Sequence, residues 1–199
     1  MIQLTDFLVK TGVLRTPNIV DAFKAVDRRD FVPLENAEYA YYDDALPIGY
    51  NQTISQPTTV AIMFELLQPQ KGQKVLDVGS GSGWTTALLG CIVGRKGSVT
   101  GLEMVPELVS FGQKNLAKYD FPQAKIVQAG NSLGLLGETF DRILVSAAAR
   151  KVPSELVDQL KPEGKMVIPV EHSVILIEKD LDSNVWQKEI PGFVFVPLV

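Results

Sequence analysis

The 199-residue chain is long enough to form one domain without a disulfide or a structural metal, since a chain of this size buries roughly 70 % of its unfolded surface. Its 46 % apolar and 21 % charged residues are typical of a soluble globular protein, and its net charge of -4 argues against nucleic acid or an acidic membrane as the main partner. The single cysteine, Cys91, cannot form an internal disulfide. No apolar run has the roughly 20 residues that span a bilayer, and the amino terminus lacks the pattern of a secretion signal, so we expect a cytoplasmic protein.

The amino-terminal part of the chain predicts short helices followed by a long loop. Residues 5–10 and a segment starting at Thr16 and Pro17 have apolar residues at helical spacing, and the Thr16 hydroxyl is the expected cap of the second helix. Residues 28–30 predict the charged end of that helix. Residues 34–52 show no period; such a long connection is typical of a lid or binding loop, although its tyrosines could equally cover the core.

Residues 58–67 predict the next helix, and two interpretations of Ser55, which precedes it, stay open. Ser55 lies close to Pro57, so its hydroxyl could cap the helix by accepting a hydrogen bond from a free backbone amide. The second interpretation is that the free amides and the hydroxyl together form an anion site, suited to the carboxylate of a substrate.

The central prediction comes from residues 74–83, which read Lys-Val-Leu-Asp-Val-Gly-Ser-Gly-Ser-Gly. The run 75–78 predicts a strand buried on both faces. Gly79, Gly81 and Gly83 then predict a tight turn into a helix, where the missing Cβ atoms let a ligand lie directly on the backbone. This arrangement indicates a nucleotide site.

The spacing of the glycines separates this turn from that of dinucleotide-binding folds. Those folds use Gly-x-Gly-x-x-Gly, whereas Trp84 stands where the third glycine would be. Asp77 would repel a pyrophosphate but favours a ligand with a sulfonium and an ammonium group, such as S-adenosylmethionine. Glu103, at the end of the next predicted strand, is expected to accept hydrogen bonds from both ribose hydroxyls, a device that both ligand classes use.

Strand and helix patterns then alternate, which predicts an α/β fold with a doubly wound, mostly parallel sheet. The expected elements are a helix at 106–119, strands at 124–128 and 140–146, a helix at 153–160 and a strand at 165–169. Strands at 174–178, 185–190 and 193–198 have no helices between them and predict antiparallel strands at one edge. The ligand should lie at the carboxyl ends of the parallel strands, where Asp77, Glu103, Asn131 and Ser146 should gather.

We expect a single domain over residues 1–199. In this division, 1–67 forms a small N-terminal helical segment and a substrate lid, 68–170 a cofactor-binding core, and 171–199 the C-terminal strands. A carboxylate acceptor suits the catalytic residues available, because it is ionised at neutral pH and needs positioning rather than a general base. His172, the only histidine, is expected to be structural or on the surface, and no cluster has metal-ligand spacing.

Four blocks of the sequence resemble the protein-L-isoaspartate O-methyltransferase family. They are 40–67 with Gln-Thr-Ile-Ser at 52–55, 75–83, 140–169 with Phe-Asp-Arg-Ile-Leu-Val-Ser-Ala-Ala, and the ending Phe-Val-Phe-Val-Pro-Leu at 193–198. Many methyltransferases share the glycine motif, but Gln-Thr-Ile-Ser with the Phe-Val-Pro-Leu ending is much more specific. The resemblance implies a Rossmann-like fold and transfer of a methyl group from S-adenosylmethionine to the α-carboxylate of an L-isoaspartyl residue. The ester then collapses to a succinimide, whose hydrolysis returns some normal aspartyl linkage.

The resemblance also implies which residues form the site. Ser55 would be the catalytic residue that orients the acceptor carboxylate. The expected cofactor-binding residues are Gln52, Thr53, Ile54, Asp77, Gly79, Ser80, Gly81, Gly83, Glu103, Asn131 and Ser132. The family usually has Gly-Asp-Gly where this chain has Gly-Asn-Ser at 130–132. An asparagine carbonyl can accept the same hydrogen bond from the adenine amino group, so we expect weaker cofactor binding rather than none.

Two alternatives stay open on the sequence. One is a diverged methyltransferase that acts on another carboxylate or on one dedicated peptide, and the other is a non-catalytic module that binds the cofactor or damaged peptides. For the main interpretation we expect isoaspartyl proteins and peptides as partners, no nucleic acid, no membrane, no metal, and a monomeric protein.

Overall fold

The computed structural model describes residues 2–198 and contains a central seven-stranded sheet and a separate two-stranded hairpin. The helices are α1 (Ile2–Lys10), α2 (Pro17–Ala25), α3 (Pro57–Leu67), α4 (Trp84–Val93), α5 (Pro106–Leu116) and α6 (Ser154–Asp158). The strands are β1 (Leu46–Gly49), β2 (Gln52–Ile54), β3 (Lys74–Val78), β4 (Ser98–Glu103), β5 (Ala124–Gln128), β6 (Phe140–Val145), β7 (Leu160–Val170), β8 (Ser173–Lys179) and β9 (Val185–Pro191).

The large sheet has the strand order β5-β4-β3-β6-β7-β8-β9. Strands β3 to β7 are parallel to one another, whereas β8 and β9 are antiparallel additions at one edge. The chain order reverses beside β3, which pairs with β4 on one side and β6 on the other. The predicted doubly wound sheet with antiparallel C-terminal strands is therefore confirmed, and the reversal creates a crevice at the carboxyl ends of β3, β4 and β6.

Alternate residues of the central strands enter two different apolar clusters, one on each face of the sheet. Val75 of β3 and Leu144 of β6 pack with residues of α1 to α5 on one face. Leu76 and Ile143 pack on the other face with α6 and with apolar residues of the loops. Burial on both faces explains why these strands are continuous apolar runs. None of the described helices combines the length and the apolar character that crossing a membrane requires.

The amino-terminal region departs from its prediction in two respects. Thr16 precedes α2, but its hydroxyl does not cap that helix and donates instead to Glu65 Oε2 of α3 at 2.7 Å. Residues Arg28–Phe31 form a separate 3₁₀ turn rather than the charged end of α2. The loop predicted over 34–52 contains another 3₁₀ turn and most of the β1–β2 hairpin, so it is more ordered than its irregular pattern indicated.

The strand predicted over 193–198 is wrong, because Gly192, with a φ of +100°, turns the chain away from β9. The segment instead crosses to the carboxyl end of the sheet. There the backbone N–H of Ala148 donates to the Val196 carbonyl, and the Ala148 carbonyl accepts a hydrogen bond from the Leu198 N–H, both at 2.8 Å. His172 is exposed, as its expected surface role requires. The C-terminal segment thereby becomes a wall of the crevice.

Candidate active site

A cavity of about 580 Å³ occupies the crevice at the carboxyl ends of β3, β4 and β6. Four segments form most of its wall: the glycine turn after β3, the hairpin strand β2 with Ser55, the loop after β5, and the C-terminal segment. The predicted site residues that line it are Gln52, Thr53, Ile54, Ser55, Gly79, Ser80, Gly81, Glu103, Asn131 and Ser132. The structure thus brings together residues that are up to 80 positions apart in the chain.

The three glycines of the turn have different tasks. All three have positive φ values, +77° at Gly79, +51° at Gly81 and +92° at Gly83, which favour glycine. Gly79 and Gly81 line the cavity. Gly83 does not line the cavity, and its missing Cβ matters for packing instead. A Cβ there would lie 2.8 Å from Ile126 Cδ1 and 3.1 Å from the Gly112 carbonyl. Gly83 therefore lets the turn pack closely against β5 and α5.

Glu103 is fixed at the end of β4 by two backbone amides. Gly81 donates its N–H to Glu103 Oε2 and Val105 donates to Oε1, each at 2.9 Å. These contacts hold the carboxylate in one orientation while its remaining lone pairs stay free to accept further hydrogen bonds. Since Glu103 lines the cavity, its carboxylate can accept hydrogen bonds from the hydroxyls of a ribose, as predicted from its position at the end of the second strand of the core.

Asp77 lies beneath the cavity wall rather than in it. Its side chain is completely buried, and Oδ2 accepts hydrogen bonds from the hydroxyls of Thr85 at 2.7 Å and Thr86 at 2.6 Å. Burial raises the pKa of Asp77 to about 6, the two threonine hydroxyls oppose this rise, and the nearby Glu103 carboxylate adds to it. Oδ1 has no hydrogen-bond partner among the described residues. Asp77 therefore supplies negative charge behind Thr85, which itself lines the cavity and was not predicted.

Ser55 faces the cavity from the opposite wall, and its interpretation as a helix cap is wrong. The residue at the N-cap position of α3 is Gln56, which makes no capping side-chain bond. Asp43 caps the helix from a distance: Oδ1 accepts the Thr58 N–H at 2.8 Å and Oδ2 accepts the Thr58 hydroxyl at 2.7 Å. The Ser55 hydroxyl is consequently not required for the helix and remains available to a ligand.

The loop after β5 supplies Asn131 and Ser132, both exposed at the cavity. Gln159, which the sequence analysis did not predict as part of the site, holds this loop by hydrogen bonds to its backbone. Its Oε1 accepts the Leu135 N–H at 2.8 Å and its Nε2 donates to the Leu133 carbonyl at 3.0 Å. A buried amide that uses its donors and acceptor in this way fixes the backbone beside the site.

The electrostatics of the cavity favour a cationic ligand. Among the described residues that line it, Glu103 is the only one with a charged side chain. A ligand with sulfonium and ammonium groups is attracted by Glu103 and by Asp77 beneath the wall. A carboxylate would meet neutral donors here, chiefly hydroxyls and backbone amides.

Comparisons with known proteins agree with this geometry. The model of the Protein-L-isoaspartate(D-aspartate) O-methyltransferase (PCMT) family matches residues 2–199. A protein-L-isoaspartate O-methyltransferase of Methanopyrus kandleri is 41 % identical over 99 % of this chain and 90 % of its own. A second relative, the protein-L-isoaspartate O-methyltransferase 2 of Archaeoglobus fulgidus, is 43 % identical over 90 % of this chain and 84 % of its own.

A solved structure shares the fold over nearly the whole chain. It is a beta-aspartate methyltransferase (PCMT) of Plasmodium falciparum in complex with S-adenosyl-L-homocysteine, with a TM-score of 0.87 and 26 % identity, and the match covers 99 % of this chain and 97 % of that one. The predicted fold, cofactor and enzyme class are thus confirmed. The chain belongs to the protein-L-isoaspartate(D-aspartate) O-methyltransferase family.

Proposed function

We propose that this chain transfers a methyl group from S-adenosylmethionine to the free α-carboxylate of L-isoaspartyl residues in damaged proteins and peptides, and so initiates their repair. The observation that carries the proposal is the single cavity in which the glycine turn and Glu103 face Ser55. We call the glycine turn with Glu103 the cofactor wall and the part of the cavity that carries Ser55 the acceptor wall. Because both line one cavity, a methyl group can pass directly between two bound molecules.

The residues of the cofactor wall fit S-adenosylmethionine. Gly79 and Gly81 expose backbone to the cavity, and Glu103 is already oriented by two amides to accept ribose hydroxyls. Asn131 and Ser132 border the cavity on the side of the loop held by Gln159. When bound, the cofactor supplies an electrophilic methyl group on a sulfonium.

The acceptor wall needs only to orient an anion. A carboxylate with a pKa near 4 is ionised at neutral pH, so no side chain has to remove a proton from it. The Ser55 hydroxyl can donate one hydrogen bond to the carboxylate and leave its other oxygen directed at the methyl group. Partial exclusion of water by the hairpin and the C-terminal segment then strengthens the attraction between carboxylate and sulfonium.

Exchange of Ser55 for alanine tests the proposed role. A hydrogen bond to a charged group contributes about 1.5–3 kcal/mol, so Ser55→Ala should lower kcat/KM for an isoaspartyl peptide about tenfold to hundredfold. The dissociation constant of S-adenosylmethionine, measured by calorimetry, should change little. Ser110→Ala, on the exposed face of α5, is the matched control. Equal losses of turnover and cofactor affinity in Ser55→Ala would contradict the assignment.

We also propose that the protein acts as a monomer in the cytoplasm and binds neither nucleic acid nor membranes. The net charge of -4 disfavours polyanionic partners such as nucleic acid and acidic membranes. Sedimentation of the purified protein tests the monomer, and fractionation of cells tests the location.

A further inference from the structure

Arg28 is a buried cation that the reaction described above does not use. Its side chain is only 2 % exposed, although it lies in a turn between Asp27 and Arg29. Burial lowers the pKa of Arg28 to about 10, and the nearby carboxylates of Asp43 and Asp44 oppose that change. The guanidinium therefore stays charged at neutral pH, and a charge this deeply buried requires partners.

Those partners are backbone carbonyls from a single segment, residues 40–55. Nη1 donates to the carbonyls of Ala40 at 2.8 Å and Tyr42 at 3.3 Å. Nη2 donates to the carbonyls of Asp44 at 2.8 Å and Ser55 at 3.2 Å. One guanidinium thus joins the beginning of the segment to its end.

The same side chain also contacts the first residue after the glycine turn. Arg28 Cζ lies 5.4 Å from the centre of the Trp84 ring, within the range of a cation–π interaction. Trp84 begins α4 directly after Gly83 and lines the cavity. The guanidinium is therefore in contact with both walls of the cavity, the one that carries Ser55 and the one built by the glycine turn.

The planar guanidinium suits this task because its donors point in fixed directions. Without the guanidinium, four carbonyls that converge on one partly buried point would repel each other and lose the donor they share. A lysine ammonium has three donors on a flexible stem and cannot serve all four carbonyls with the same geometry. The contacts of Arg28 thus depend on its shape as well as on its charge.

We propose that Arg28 is a positioning residue for methyl transfer, which holds Ser55 at a fixed distance from the glycine turn. The role rests on the proposed function, since it concerns the acceptor wall of that site. Loss of the guanidinium frees the 40–55 segment and misplaces the acceptor carboxylate. The glycine turn and Glu103 are held by other contacts, so affinity for the cofactor falls by less than turnover does, although Gln52, Thr53 and Ile54 lie in the freed segment.

Exchange of Arg28 for lysine tests the proposal, with Arg29→Lys as the matched control, because Arg29 is the exposed neighbour. Displacement of a reacting group by about 1 Å can cost on the order of a hundredfold in rate. We expect Arg28→Lys to lower kcat/KM for an isoaspartyl peptide at least about tenfold, while the dissociation constant of S-adenosylmethionine rises by a smaller factor than kcat/KM falls. Arg29→Lys should match the wild type in kcat/KM and in the dissociation constant of S-adenosylmethionine.

Two results of these activity and binding measurements would overturn the role. One is unchanged kcat/KM in Arg28→Lys, and the other is loss of cofactor binding in proportion to turnover, which a general failure to fold also produces. Hydrogen exchange separates this proposal from the proposed function, because faster amide exchange confined to residues 40–55 in Arg28→Lys is expected whatever the substrate. A wild-type protein that is inactive on the isoaspartyl peptide contradicts the function alone, and unchanged exchange in 40–55 contradicts the role of Arg28.

Discussion

Replacement of Asp77 by asparagine should give the unliganded protein an unfolding free energy that rises relative to the wild type as the pH increases towards neutrality. Burial raises the pKa of this carboxyl from 3.8 to about 6, against the opposing hydrogen bonds of Thr86 and Thr85, with the Glu103 carboxylate adding to the rise. An acid whose pKa is raised by folding stabilises the fold fully below its unfolded value of 3.8 and loses that contribution as the pH rises through about 6. At neutral pH the protein therefore bears the cost of an ionised, buried carboxylate.

The size of this cost follows from the two pKa values. Their difference corresponds to about 3 kcal/mol once Asp77 is fully ionised, and about half of that is already present at about pH 5. Asparagine keeps an acceptor for the two threonine hydroxyls and places an amide group at the unpartnered Oδ1 position. The cost of that amide does not vary with pH. The advantage of Asp77→Asn in unfolding free energy should thus grow by about 1 kcal/mol between about pH 5 and about pH 8.

Urea unfolding at several pH values measures this growth directly. Asp120→Asn is the control, because the Asp120 side chain is 83 % exposed. The difference in unfolding free energy between Asp120→Asn and the wild type should change little with pH. The same Asp77→Asn protein should bind S-adenosylmethionine more weakly, because a negative charge near the cationic ligand is gone. An advantage that stays constant or shrinks towards pH 8 would refute the assignment of a buried, raised-pKa carboxylate.

Three further substitutions probe the site and the residues that pack behind it. Gly101→Ala places a Cβ 2.7 Å from the Thr86 hydroxyl oxygen, and the overpacking should lower the unfolding free energy by about 1–3 kcal/mol in urea titrations. Gln159→Leu leaves the Leu135 amide without its acceptor, so calorimetry should show weaker cofactor binding. Asn131→Asp should tighten cofactor binding if residue 131 accepts the adenine amino group, and an unchanged dissociation constant would count against that contact.

The parts of the fold that the sequence predicted are those with strong local patterns. The strand at 75–78, the three glycines and the helix after them are recognisable because burial on both faces and positive φ each restrict the residue type. Glu103 was predictable for the same reason, as it stands at the end of the adjacent strand. The alternation of helices and strands then gave the sheet and the position of its crevice.

The parts that the sequence did not predict depend on contacts between distant residues. Asp43 caps α3 from 15 positions away, so the local pattern pointed to Ser55 instead. Arg28 was predicted only as part of the charged end of a helix, because its partners are carbonyls, which carry no sequence signature. The path of residues 193–198 depends on the positive φ of Gly192 and on pairing with Ala148, and apolar residues alone could not distinguish it from another edge strand.

Transfer of labelled methyl from S-adenosylmethionine to an isoaspartyl peptide, beside the same peptide with normal aspartate, tests the central claim most directly. Both peptides have the same composition and net charge, so they differ only in whether the backbone runs through the α- or the β-carboxyl group of this residue. We expect base-labile label on the isoaspartyl peptide alone. Equal label on both peptides, or none on either while cofactor binds, would contradict the proposed function and favour a diverged substrate or a binding role.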